Sequence, residues 1–287
     1  MKKVLWTLGI IFLSAATAVY ASSDSFSTCD YMCSAPYDTN SGLRTFFSAV
    51  TGLNTITEKA AENALKKEIL EFGSAKKLKV NIDSYSSKDL KNGIFKSAEI
   101  NAKNAVIKNI YLSSIDLKTL CDFNYLKYDD GNLTVMENFP MSFNIEFSSN
   151  DLNNTMQSPK YMDLINNLTF GDSPIRLKIV SARAAIKNHK FYYILSLKIP
   201  FVRKPQTIVL LADINVKDGN FIYSNTKIVS GHFNLESQNL DSVLNYLNPL
   251  DFSVKIIHNK KANIKIKNVE IEDDKISTNG VVIIPKD

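Results

Sequence analysis

Cysteine, glycine and proline are all scarce in this chain, whose 287 residues include 3 Cys, 10 Gly and 8 Pro. So few cysteines exclude a disulfide-dense scaffold, and so little glycine and proline excludes collagen-like and low-complexity chains. Arginine is scarcer still: among 34 basic side chains only Arg44, Arg176, Arg183 and Arg203 are guanidinium groups. Proteins that read nucleic acid depend on the arginine fork at base edges and phosphates, so no nucleic-acid partner is expected. Short catalytic and metal motifs are missing as well. The chain has no Gly-x-Ser-x-Gly elbow, no His-Glu-x-x-His, no Gly-rich phosphate loop and no EF-hand loop. Ser74 and Lys77 have a Ser-x-x-Lys spacing but lack the partner elements of that enzyme class, and read as a solvated turn. No catalytic residue and no cofactor is expected.

Apolar content is the opposite case, at 45% of residues, enough for a sizeable core in a chain of this length. Part of it lies in a leader. Lys2 and Lys3 precede an apolar run from Val4 to Leu13, and small residues then lead to Ala21. That order is the secretory signal peptide, and the run falls short of the roughly 20 residues that cross a bilayer. Residues 1–21 are therefore expected to be removed, leaving a periplasmic or extracellular protein. Without Lys2 and Lys3 the 34 basic side chains become 32 against 29 acidic ones, close to neutral. Residues 22–41 are polar and read as a linker, and residues 42–287 as one domain.

In an oxidising compartment three cysteines leave at least one without a partner in the chain. Cys29 and Cys33 are close enough to bridge a small loop, with a modest gain in stability because little chain is closed. A zinc site on the same pair would need further ligands nearby, and His189, His232 and His258 are distant in sequence.

Helical spacing comes first along the domain. Leu43, Phe46, Phe47, Val50 and Leu53 recur at helical intervals. A second stripe from Ile56 through Ala61, Leu65 and Ile69 to Phe72 opens with a Thr55/Glu58 capping box and stops at Gly73. Beyond Lys76 the period becomes 2. Alternating runs include Leu78–Ile82, Ala98–Ala102, Ile110–Leu112, Ile115–Leu117, Phe143–Phe147, Phe191–Ile199, Ile208–Val216, Phe252–Ile256 and Ile264–Ile266. Asp218-Gly219 and Asp273-Asp274 mark hairpin turns, as does Asp129-Asp130. Two further helices are expected, Asp151 to Leu168 and one ending at Leu247 before Pro249.

Ten or more strands with so few helices to cover them predict an α+β fold, a large, strongly twisted antiparallel sheet curled around a long N-terminal helix. Each strand has an apolar face to remove from water, at roughly 25 cal/mol per Å². Residues 207–212 and 280–284 are apolar on both faces and call for cover on both sides. Such a roll can keep an apolar groove or close into a solid β core. The tip Phe201-Val202-Arg203-Lys204 joins apolar and cationic side chains and is a candidate for contact with a membrane surface.

Three patterns resemble the LmeA-type phospholipid-binding proteins of the bacterial envelope. They are Leu90-x-x-Gly93-Ile94-Phe95 continuing through Ala98, Ile100, Ala102 and Ile110 to Leu117; Phe143-x-Ile145-x-Phe147-Ser148-x-x-Asp151-Leu152; and Asn268-Val269-x-Ile271-x-x-Asp274-x-Ile276 to Gly280. The resemblance implies a tubular lipid-binding (TULIP-like) architecture and the binding of phospholipid or another acyl lipid, without catalysis. On that reading the acyl chain meets the helix and the inward strand faces at Val50, Leu53, Ala61, Leu65, Phe147, Leu195, Leu197, Ile199, Leu210 and Phe252. The alternative is an envelope structural or adhesion module with a solid core.

Overall fold

In the computed structural model the described residues are Cys33, 53–129, 132–166, 178–198, 202–230, 237–257 and 262–287. Residues 1–21, expected to be a signal peptide, most of residues 22–41, Cys29, Val50, Ile199 and Phe201 lie outside them. The first element, α1 (Leu53–Phe72), runs into β1 (Gly73–Asp83), and the short α2 (Ser87–Lys91) leads to β2 (Ile94–Phe95). Then come β3 (Ser97–Ile107), β4 (Ile110–Thr119), β5 (Asn124–Asp129), β6 (Asn132–Val135) and β7 (Phe139–Ser148). Two helices follow, α3 (Ser149–Met156) and α4 (Pro159–Asn166), then four strands: β8 (Lys178–Lys187), β9 (Lys190–Lys198), β10 (Gln206–Lys217) and β11 (Asn220–Ser230). Helices α5 (Ser237–Tyr246) and α6 (Pro249–Ile257) precede the closing strands β12 (Asn263–Ile271) and β13 (Lys275–Ile284).

The fold is α+β, with antiparallel pairing between all neighbouring strands described. In place of one large sheet there are three open ones. Their orders are β1-β3-β4-β7-β13-β12, β11-β10-β9-β8 and β2-β5-β6. Helices stand at both crossings between the two larger sheets, α3 and α4 between β7 and β8, and α5 and α6 between β11 and β12. The two larger sheets adjoin where the Ile266 amide on β12 donates to the Gly219 carbonyl in the β10–β11 turn, at 3.1 Å.

Several expectations change. The helix expected over 151–168 breaks at Gln157-Ser158, because Pro159 disfavours a helical residue before it and serves as a first helical residue itself. Its cap is Ser148, in a capping box with Asp151. Phe252, Val254 and Ile256 belong to helix α6 and not to a strand. Pro249 opens that helix, and the Asn248 side chain accepts from the amides of Leu250 and Asp251, so local capping decides against a short alternation. Thr55 lies inside α1, and Glu58 does not close a capping box: its carboxylate accepts from the amide and hydroxyl of Ser84. Ser74 and Lys77 stand on β1, not in a turn.

The disulfide differs too. Cys33 is bonded to Cys121, 88 residues away, not to Cys29. Proximity in sequence was the wrong guide, since Cys121 follows β4 and tertiary folding brings the two thiols together.

One break in the alternation has a structural counterpart. Buried residues fall at Ala98, Ile100 and Ala102 and then at Ala105 and Ile107 on β3, while on β4 the phase slips between Ser114 and Ile115. Asn104 takes up the slip with φ of 48°, a left-handed conformation that asparagine tolerates better than most residues. The expected runs Ile110–Leu112 and Ile115–Leu117 are therefore one strand. Of the expected turns, Asp218-Gly219 and Asp273-Asp274 are found between β10 and β11 and between β12 and β13, and Asp129 pairs with Asn132 across the third. Lys108-Asn109 and Asn188-His189 add two hairpins of the same positive-φ kind.

Candidate functional site

The nominated apolar residues separate into three groups. Ala61 and Leu65 occupy the buried face of α1; Phe147 lies on β7, Leu195 and Leu197 on β9, and Leu210 on β10. All of these belong to one apolar core that extends from α1 across both larger sheets. They are enclosed almost completely, leaving next to no surface a water molecule could touch, so a guest chain would reach them only by displacing neighbours. Phe252 is half-buried on α6, its ring edge-on to Tyr161 with 4.8 Å between centroids. Leu53 is the first residue of α1. In the tip after β9, Val202, Arg203 and Lys204 are exposed.

Among the described residues that core reaches the surface in several places, one of them between α1 and β1. Ile69 on α1 and Ala75 and Leu78 on β1 are only partly buried against it, and next to them Leu70 and Phe72 are 49% and 39% exposed. Lys66, Lys67, Lys76, Lys77 and Lys79 belong to the same stretch of α1 and β1. Glu68, on the inward side of α1, is buried, and its Oε2 has no partner among the described residues. Burial, reinforced by Glu71, raises its pKa.

Helix side chains cap three of the open sheet edges. On β1 the Ile82 amide donates to Glu62 of α1 at 3.1 Å. On β8 both the amide and the carbonyl of Ala184 bond to Asn153 of α3, each at 2.9 Å, and Ile186 donates to Ser149. On β11 Asn245 of α5 treats Tyr223 in the same way, at 2.7 and 2.9 Å, while Thr226 donates to Asp241. A side-chain amide offers an NH2 donor group beside a carbonyl acceptor, which complements the carbonyl and N–H that a strand edge presents, so these asparagines occupy places another strand would otherwise take.

Inside the four-stranded sheet lies a tyrosine cluster with no counterpart among the expected sites. Tyr161 of α4, Tyr193 of β9 and Tyr223 of β11 are all fully buried or nearly so. Tyr161 donates to the Leu247 carbonyl, so Tyr193 is the donor in the 2.6 Å contact between the two hydroxyls. Tyr223 has no hydroxyl partner among the described residues. Burial pushes all three phenols far above their ordinary range, so they stay neutral, and Tyr161 and Tyr193 act as hydrogen-bond donors. Tyr161→Phe is expected to cost about 2–3 kcal/mol, because it strands both the Leu247 carbonyl and the Tyr193 hydroxyl. Tyr223→Phe is expected to be neutral or to stabilise by up to about 1 kcal/mol. Urea denaturation of the two variants checks this, and equal losses would mean that Tyr223 has a buried partner.

The inner and outer faces of the same sheet differ. Helices α4 and α6 meet the inner face around Tyr193. The outer face has Tyr192, Ile194, Val209 and Leu211 in two adjoining cross-strand pairs, Ile194 with Val209 and Tyr192 with Leu211. These four are partly exposed and stand apart from the core. Both edge strands have the tetrapeptide Lys-Ile-Val-Ser at one end of the sheet, as residues 178–181 and 227–230. In each the register slips at the valine, so Val180 and Val229 are bulged outward, 44% and 49% exposed. The repeat is a sequence signal for this end beside the tip at Val202-Arg203-Lys204. No protein-family model, no curated protein and no solved structure matches the chain.

Proposed function

We propose that the protein is exported and binds phospholipid or another acyl lipid in the cell envelope without catalysis, with a tubular lipid-binding relationship as the parent of its fold. The observation that carries this reading is the unsealed corner of the core, where Ile69, Ala75 and Leu78 continue the apolar interior to exposed Leu70 and Phe72. A hydrocarbon chain laid there would cover apolar surface that now meets water. The neighbouring lysines would hold a phosphate headgroup at the rim. Export is supported by the leader pattern of residues 1–21 and by the Cys33–Cys121 bond, since such bonds persist in oxidising compartments.

A second reading, a solid structural or adhesion module, is favoured by the enclosure of Leu65, Phe147, Leu195, Leu197 and Leu210. Native mass spectrometry and organic extraction of freshly purified protein separate the two. The lipid reading expects a co-purifying phospholipid, and uptake of a labelled phospholipid that falls at least ten-fold in the double variant Leu70→Asn/Phe72→Asn. A clean mass with no uptake would favour the solid module.

A further inference from the structure

We infer that the outer face of the four-stranded sheet is a docking surface for an anionic lipid bilayer. The inference rests on the envelope-lipid reading but uses a different part of the molecule. Residues 207–212 are apolar on both faces, and the described residues bury only one of them. Ile208, Leu210 and Ala212 are buried, while Val209 and Leu211 face outward with Ile194 and Tyr192 as cross-strand partners. A partly exposed apolar row of this kind invites a partner.

Charge selects which partner. Directly opposite residues share a face of a sheet, and the register puts Arg183 beside Ile194, Lys227 beside Leu211, and Lys178 beside Lys198. Asp213 is the carboxylate on this face, two residues beyond Leu211 toward the Asp218-Gly219 turn. At the opposite end, residues 178–183, 196–198, 202–209 and 226–230 include no Asp or Glu. That end has the bulged valines Val180 and Val229, exposed Val202, and the cations Arg203 and Lys204. A second copy docked face to face about a twofold axis that runs along the strands, or through this end, would set lysine against lysine, which opposes that self-association. An anionic bilayer meets the cations with phosphates and receives the valines among its headgroups.

The test is flotation of the purified full chain with vesicles of phosphatidylglycerol and phosphatidylcholine, against vesicles of phosphatidylcholine alone. Binding is expected only with phosphatidylglycerol, and is expected to weaken as salt rises from low to several times physiological strength. Each basic residue near an anionic surface contributes about five-fold. The exposed triple variant Lys178→Gln/Lys198→Gln/Lys227→Gln should therefore bind about a hundred-fold more weakly, while Lys88→Gln/Lys91→Gln/Lys108→Gln, exposed on α2 and in the β3–β4 turn, should bind as the parent does. Circular dichroism and melting curves of both triple variants keep a folding defect from passing as a binding defect. Leu211→Ser gives an independent readout of the apolar row, with weaker binding at unchanged salt dependence.

Equal binding to both vesicle types, or equal losses in the two triple variants, would overturn the inference. So would a dimer by sedimentation that Leu211→Ser dissolves, since the occupant would then be a second copy. Vesicle binding by protein whose organic extract is free of phospholipid, and which takes up none, would uphold docking and overturn the acyl site. Phospholipid in the extract without vesicle binding would do the reverse.

Discussion

Cys121→Ser is expected to lower the stability of the protein by about 4–5 kcal/mol, near the top of the range for a disulfide. The bond to Cys33 closes a loop with a sequence separation of 88, and in the chain-entropy account the denatured ensemble gains most when a long loop is released. Cys29→Ser is expected to leave stability unchanged. Denaturant titration under non-reducing conditions measures both, and mapping of a proteolytic digest should find the peptides of Cys33 and Cys121 joined. Stability that is indifferent to reduction, or a digest that joins Cys29 to Cys33, would show the pairing to be wrong.

Gly93→Ala should be nearly as damaging, on the order of 4 kcal/mol or more. Gly93 follows α2 with φ of 81°, and a methyl group built on it would sit 1.8 Å from the carbonyl oxygen of Leu126. Two costs combine: a backbone conformation that L-residues seldom adopt, and a clash with main chain that cannot swing aside. That approach is itself in use, because the Leu126 amide donates to the Gly93 carbonyl at 3.0 Å. The methyl would therefore also loosen the junction of β2 with β5. Gly219→Asn is the control. Its φ of 77° is similar, but the closest atom is Cγ of the flexible Lys265 side chain, and asparagine is suited to such a turn, so a loss of no more than about 1 kcal/mol is expected. Comparable losses at the two sites, measured by chemical denaturation, would mean that conformation and not the Leu126 carbonyl sets the requirement at Gly93.

Strand periodicity carried far in this chain because a half-buried strand must alternate. Val80 and Ile82, Ile145 and Phe147, and Tyr193 and Leu195 were legible for that reason. So was the capacity of Gly73 to end α1, and so were the hairpins at Asp218-Gly219 and Asp273-Asp274. Short segments were less secure. Residues 252–256 alternate like a strand and form a helix, since three apolar residues two apart fit either period and the cap at Asn248 decided between them. The nominated lining residues were chosen by face, and face does not tell a cavity wall from packed core. Burial of Leu65 and Leu210 depends on what stands opposite, which is not written locally.

Composition and patterning alone determined the class of this protein: a β-rich α+β chain, poor in arginine and in catalytic motifs, with more apolar strand surface than its helices cover. Tertiary structure decided the rest. It divided the strands into three open sheets, joined Cys33 to Cys121, and set Asn153 and Asn245 against strand edges. It also brought the two distant Lys-Ile-Val-Ser segments to one end of a sheet. Periodicity is a property of neighbours along the chain and can be read there, whereas pairing, edge capping and the convergence of charge depend on contacts between residues tens of positions apart, whose geometry exists only once the chain has folded.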